Sequence, residues 1–231
     1  MLSRFFCVYL SADMIHAFAH SGPLRTLMLP ILAVALTAML LFSCQANAQQ
    51  NIKRTNMENK NLKEIYLAGG CFWGTEHYLK QIDGVVDTEV GYANGATENP
   101  TYEDVCTDET GFAETVHVTY NPEKVSLRFL LEMYFKAIDP TSLNQQGLDA
   151  GTQYRTGVYY TDQADEAAID EVFAEQQKHI KGKIAVENLP LRNFYKAEDC
   201  HQDYLDKNPH GYCHLPRSLF ELARKAKDTG K

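Results

Sequence analysis

No two cysteines of this chain are spaced Cys-x-x-Cys, although six occur in 231 residues. That absence removes a thioredoxin-type redox motif and a zinc ribbon. The six (Cys7, Cys44, Cys71, Cys106, Cys200 and Cys213) are also too few and too scattered for a disulfide-stapled mini-protein. Positive charge is short as well: 22 Lys and Arg stand against 30 Asp and Glu, a net charge of −8. With no basic stripe to offset the acids, no nucleic-acid partner is expected. Internal repeats are absent, tryptophan occurs once, and no uncharged apolar run reaches the roughly 20 residues that span a bilayer comfortably. Cys200-His201 and Cys213-His214 are adjacent pairs, which seldom chelate one ion, so no metal is expected.

What is present begins with an address. Leu27 to Phe42 is apolar apart from Thr37 and broken by Pro30, with Arg25 just before it and small residues after. This is the layout of a secretory signal. Two cleavage patterns compete. Leu41-Phe42-Ser43-Cys44 has the form of a bacterial lipobox, which leaves Cys44 as a lipid-modified first residue, while Ala46-Asn47-Ala48 fits ordinary signal peptidase. The lipobox is preferred, so residues 1–44 are read as a signal and the product as an exported cell-envelope protein, periplasmic or anchored to the membrane through Cys44. Residues 45–61 are polar, rich in Asn, Gln and Lys, and read as a solvated tether. Residues 62–231 are read as one domain, expected to be a monomer.

Within that domain Glu64 to Ala68 reads as an inner strand, and Phe72 to Gln81 as a helix with Glu76 and Lys80 paired at i,i+4. Valine-rich Gly84 to Tyr92 is a strand ending in the turn cluster Gly91 to Gly95. Thr101 caps one short turn, and Gly111 to Tyr120 is a β-branched strand. Ser126 caps a helix to Ile138. Asp139 to Arg155 shows no period and is read as a functional loop. Gly157 to Thr161 is a strand, Asp162 to Ile180 a helix capped by Thr161 or Asp162, and Ile184 to Asn188 another strand. Beyond Asn193 the chain is expected to be loop-rich until Ser218, then to end in a solvated basic helix, Leu219 to Lys227. The class is α+β.

Ala68-Gly69-Gly70-Cys71-Phe72-Trp73-Gly74 stands where the first strand gives way to the first helix. Unpaired N–H groups of a first helical turn favour a thiolate, and the glycines permit a tight turn and close approach. An ordinary cysteine with a pKa near 8.5 is only about 3% thiolate at pH 7. Taken alone, the stretch fits a buried inert cysteine equally well.

The blocks around it resemble, in order, the A-class peptide methionine sulfoxide reductases. The matching stretches are Gly70-Cys71-Phe72-Trp73-Gly74, Gly91-Tyr92-Ala93-Asn94-Gly95, Asn99-Pro100-Thr101-Tyr102, Gly111-Phe112-Ala113-Glu114, Asp149 to Arg155, and Asn208 to Cys213. The resemblance implies a two-layer α/β sandwich of ferredoxin-like type with a loop-rich C-terminal tail. It implies that Cys71 attacks the sulfoxide sulfur, that Glu114 protonates its oxygen, that Tyr102 and Tyr154 donate to that oxygen, and that Asp149 organises the site. Phe72 and Trp73 would hold the substrate methyl group, consistent with sulfur–aromatic affinity. Cys213 would be the resolving cysteine, with Cys200 a second candidate. The implied reaction converts methionine-S-sulfoxide, free or in proteins, to methionine, forms a sulfenic acid and then a disulfide, and is recycled by thioredoxin or a similar dithiol, with no cofactor in the polypeptide.

Two departures stand out. Phe112 occupies a position where the family commonly has histidine, and no cysteine follows Cys213. Two other readings compete with the implied one. A cysteine hydrolase would need His117, His201 or His214 as base to Cys71. A lipid-anchored module would use the aromatics to bind Met-rich ligands without chemistry.

Overall fold

A computed structural model describes residues 61–230. The apolar run, both cleavage patterns, Cys7, Cys44 and nearly all of the tether lie outside the described residues. The strands are β1 (Lys63–Gly69), β2 (Val85–Ala93), β3 (Ala113–Tyr120), β4 (Gln145–Gln146), β5 (Asp149–Ala150), β6 (Thr156–Tyr160), β7 (Glu187–Pro190) and β8 (Phe194–Lys196). Six form one sheet in the order β7-β6-β1-β3-β2-β8, and β4 and β5 make a separate ribbon. Neighbours in the large sheet run antiparallel except β6 and β7, so the architecture is a mixed α/β fold.

Alternation along the central strands explains its two faces. Ile65, Leu67, Val90, Val116, Val118 and Val158 point to one side and join the main core. Tyr66, Ala68, Ala113 and Tyr159 point to the other and form a smaller cluster with Phe194. The main face is covered by α1 (Phe72–Leu79), by α3 (Leu127–Ala137), which follows the single turn α2 (Tyr102–Val105), and by α4 (Glu166–His179). On α3 the apolar positions recur at helical spacing, and Leu130 and Leu131 are wholly buried, each worth about 1.5–3 kcal/mol of hydrophobic stabilisation. Ser126 caps it by accepting from the Phe129 N–H at 3.2 Å. Thr101 and Asp104 form a reciprocal capping box on α2.

Several expectations shift. The helix expected from Asp162 begins as a 3₁₀ turn, Gln163–Asp165, capped by Asp162, while the Thr161 hydroxyl turns away to Glu64. The strand expected at Ile184 to Asn188 lies at Glu187–Pro190, where Pro190 is tolerated because β7 is an edge strand. Glu76 and Lys80 do not pair. Glu76 is buried and accepts from Thr88 and the Asp203 N–H, whereas Lys80 binds Asp203 and Asp206. Burial pushes the Glu76 carboxyl up to about 7. The tail is more regular than expected: β8 extends the sheet beside β2, and α5 (Tyr204–Lys207) and α6 (Arg217–Lys225) follow. Nor is α6 merely solvated, since Ala223 is buried and Leu219 and Phe220 pack on the core. Cys106 is the C-cap of α2 and is exposed.

Candidate active site

Cys71 is the N-cap of α1, immediately after β1, and Glu114 is on β3, the strand beside β1. The turn between β1 and α1 depends on Gly70, whose φ is +81° and whose position leaves a built Cβ only 2.6 Å from Gln146 Cβ. Thr75 stiffens the same turn, its hydroxyl donating to the carbonyls of Gly69 and Cys71 at 3.1 Å each. Tyr134 on α3 donates to the Ala68 carbonyl at 2.7 Å, tying the end of β1 to the core.

Strand alternation aims Glu114, with Val116 and Val118, at the helix side, and it is 1% exposed. Its Oε2 accepts from the Phe72 N–H at 2.9 Å, one residue beyond the cysteine. Burial, moderated by that N–H and reinforced by Asp149, pushes the Glu114 carboxyl up to about 8. At neutral pH it therefore keeps its proton.

The thiol departs from the expectation of helix-end activation. The N–H groups of Trp73 and Gly74 do favour the thiolate, but burial first and the Glu114 charge second hold the Cys71 pKa well above its ordinary value. When Glu114 is protonated its charge no longer opposes the thiolate, so the two groups titrate as a pair.

Around this pair the structure gathers most of the remaining candidates. Burial, and then the Glu114 charge, hold the hydroxyls of Tyr102 and Tyr154 above the usual tyrosine range, so both stay protonated donors. Asp149 sits on β5, its Oδ1 accepting from the Tyr212 hydroxyl at 2.7 Å. That ribbon is fixed by Gln146, which exchanges two 2.8 Å hydrogen bonds with the Asp139 backbone, and by Asp108, which accepts from the N–H and hydroxyl of Thr152. The loop from Asp139 to Arg155, read as functional, is thus tied down by these contacts. Phe72 is wholly buried against Tyr92 and His201, whereas Trp73 is half-buried and stacks on Tyr204 at 3.7 Å between centroids. Cys213 Sγ lies 3.0 Å from where a Cβ on Gly74 would stand, beside the first turn of α1. Cys200 is a free, exposed cysteine in the tail.

Three contributors had no clear signal in the spacing. Glu198 accepts from the Tyr102 N–H and from the Tyr92 hydroxyl, 96 and 106 residues away in sequence. His201 accepts from Trp73 Nε1 at 3.1 Å and lies 4.6 Å from Tyr102 between ring centroids. His214 has a ring nitrogen within 4.8 Å of both the Cys71 sulfur and an Asp149 oxygen. Phe112, which departs from the family pattern, is buried over Gly95 and edge-on to Tyr195, outside the thiol–acid pair.

Comparison with known proteins agrees with this geometry. A family model described as peptide methionine sulfoxide reductase matches residues 63–230. The chain is 54% identical over 160 residues to a Clostridium acetobutylicum protein named peptide methionine sulfoxide reductase MsrA, covering 69% of this chain and 99% of that one. A Clostridium perfringens protein of the same name is 58% identical over 154 residues, covering 67% and 98%. Among solved structures, reduced Mxr1 from Saccharomyces cerevisiae aligns with a TM-score of 0.65 at 44% identity, over 68% of this chain and 92% of that one. Methionine sulfoxide reductase A of Corynebacterium diphtheriae gives 0.62 at 39% identity, over 66% and 78%.

Proposed function

The chain belongs to the peptide methionine sulfoxide reductase family, and from that premise we propose that Cys71 and Glu114 are the pair that carries out its chemistry. The enzyme reduces methionine sulfoxide to methionine. A sulfoxide oxygen leaves poorly until it is protonated, so the reaction needs a nucleophile and an acid at one point. The observation that carries the assignment is the wholly buried Glu114 carboxyl, protonated at neutral pH and fixed through the N–H of the residue after Cys71.

Cys71 sulfur attacks the sulfoxide sulfur while Glu114 delivers its proton to the oxygen and takes up the thiol proton in exchange. The hydroxyls of Tyr102 and Tyr154 donate to the same oxygen. Phe72 and Trp73 receive the methyl group, and Asp149, held by Tyr212, orders the far wall. The bond between the two sulfurs then breaks as the hydroxyl passes from the substrate sulfur to the Cys71 sulfur, so methionine leaves and Cys71 becomes a sulfenic acid. Cys213 then condenses with it, releasing water, and a thioredoxin-like dithiol reduces the disulfide. Its place against Gly74 favours Cys213 over Cys200 as resolver.

The core strands β1, β2, β3 and β6, with α1 and α3 as crossovers, follow a β-α-β-β-α-β succession in the order β6-β1-β3-β2, which supports a ferredoxin-like core. Export as a lipoprotein through Cys44 rests on the Leu27 to Phe42 run and the residues after it; mass spectrometry beginning at an unmodified Gln49 would rule it out. The catalytic reading is tested by incubating the enzyme with a dithiol and racemic methionine sulfoxide. Only the S epimer should be consumed, and consumption of neither would overturn the assignment.

A further inference from the structure

We propose that His214 is the proton carrier of disulfide formation, passing the Cys213 thiol proton to the oxygen of the Cys71 sulfenic acid. The proposal rests on the assignment of Cys71 and Cys213 above and adds a residue that no step so far employs.

The ring is oriented by one backbone group. His214 Nε2 lies 3.2 Å from the Gly69 carbonyl oxygen. A carbonyl only accepts, so Nε2 carries the hydrogen and Nδ1 is the bare, basic nitrogen. Nδ1 is buried and has no hydrogen-bond partner, an arrangement that costs stability in a group with no further use. Both sulfurs lie near the ring. Nδ1 and Cys213 Sγ both lie 3.0 Å from the point where a Cβ on Gly74 would stand. A His214 ring nitrogen, the Cys71 sulfur and an Asp149 oxygen all fall within 4.8 Å of one another. A residue larger than glycine at position 74 would wedge the base and the resolving thiol apart.

The protonation states suit the task. Burial holds His214 below the usual histidine value, with Asp149 and the Gly69 carbonyl pulling the other way, so the ring is neutral and able to accept at pH 7. Burial holds the Cys213 thiol above its usual value, so little thiolate forms there unaided. Asp149 Oδ2 is buried without a partner, ready to stabilise the imidazolium that forms in between.

The step balances within the protein. Cys213 sulfur attacks the sulfenic sulfur as Nδ1 takes the thiol proton. The Sγ–Sγ bond forms, the S–O bond on Cys71 breaks, and the imidazolium returns the proton to the departing hydroxide, which leaves as water. The Cys213 sulfur is oxidised and the sulfenic sulfur of Cys71 is reduced.

The test is a single turnover without external reductant, following methionine by chemical quench and the disulfide by loss of titratable thiol. In His214→Gln, methionine formation should stay within about threefold of wild type while disulfide formation slows by at least about tenfold, at the low end for general acid–base catalysis. Free imidazole should restore the disulfide step in His214→Ala. Disulfide rates within about twofold of wild type in both variants, or equal slowing of both steps without rescue, would overturn the proposal. The wild type supplies a check that needs no variant. The groups facing His214 are Cys71 at the start of α1, Asp149 on β5 and Cys213 in the tail, and with His214 already neutral the disulfide rate should level off near pH 7. A tenfold rise per pH unit continuing to about pH 9, the mark of a bare thiolate acting alone, would contradict it. If the wild type itself forms no methionine, the assignment of Cys71 fails instead.

Discussion

The site draws on two regions that the chain holds in different ways. Cys71 and Glu114 belong to β1, α1 and β3 at the centre of the sheet, both with nearly all of their surface buried. Cys213 and His214 belong to the tail, where short elements are fastened by exposed polar contacts, Lys80 to Asp203 and Asp206, Tyr212 to Asp149, and Arg217 to the Pro209 carbonyl, as well as by Leu215, Leu219 and Phe220 against the core. Short elements held in part by exposed hydrogen bonds open at lower cost than a buried sheet. A carboxyl that must keep a proton at neutral pH needs a rigid, dry setting, so it sits in the core. The resolving role proposed for Cys213 asks it to reach one sulfur and later present the disulfide to an outside dithiol, which suits the tail better than the centre of the sheet.

The comparison breaks most sharply at the central pair. Cys71→Ser should abolish methionine formation, and Glu114→Gln should slow a single turnover by about 10²–10⁴, the usual range for loss of a general acid. A loss under tenfold in Glu114→Gln would place the acid elsewhere. In the tail, Cys213→Ser should still release one methionine per chain but fail to turn over with a thioredoxin-like reductant. Multiple turnovers with that reductant would transfer the resolving role to Cys200.

A subtler separation lies in stability. The folded-state pKa of Glu114 stands at about 8, above the ordinary 4.5, so its contribution is whole below about pH 4.5 and is lost as pH rises through 8. Glu114→Gln removes that dependence. Melting curves from pH 5 to pH 9 should therefore shift in favour of the variant, by at most about 4 kcal/mol across the window. Glu76 has the same sign but is common to both proteins and cancels. The smallest effect is expected at exposed Cys200: Cys200→Ser should leave both steps of the reaction unchanged.

The two regions also differed in how far they could be read from sequence. Around the centre, valine alternation in β2 and β3 and the leucine spacing of α3 set the local pattern, and the Gly70 to Gly74 block marked the nucleophile. Glu114 was identifiable only through the ordered blocks, because a carboxylate at the end of a β run looks like a surface charge until its partner strand is known. The tail was much less legible. β8 is three residues long and owes its existence to pairing with β2 rather than to its own propensity. Glu198, His201 and His214 act across 96 to 145 residues, distances at which no local period exists. The same limit applies at Cys71: the helix-end N–H groups are visible in sequence, whereas the burial that outweighs them is a property of the packed chain.

The account stands on a carboxylic acid that keeps its proton at neutral pH beside the Cys71 thiol. Infrared difference spectroscopy between wild type and Glu114→Gln tests this directly. A protonated carboxyl carbonyl stretch should be present in the wild type at pH 7, absent from the variant, and lost as pH passes about 8. A carboxylate stretch assigned to Glu114 already at pH 7 would contradict it.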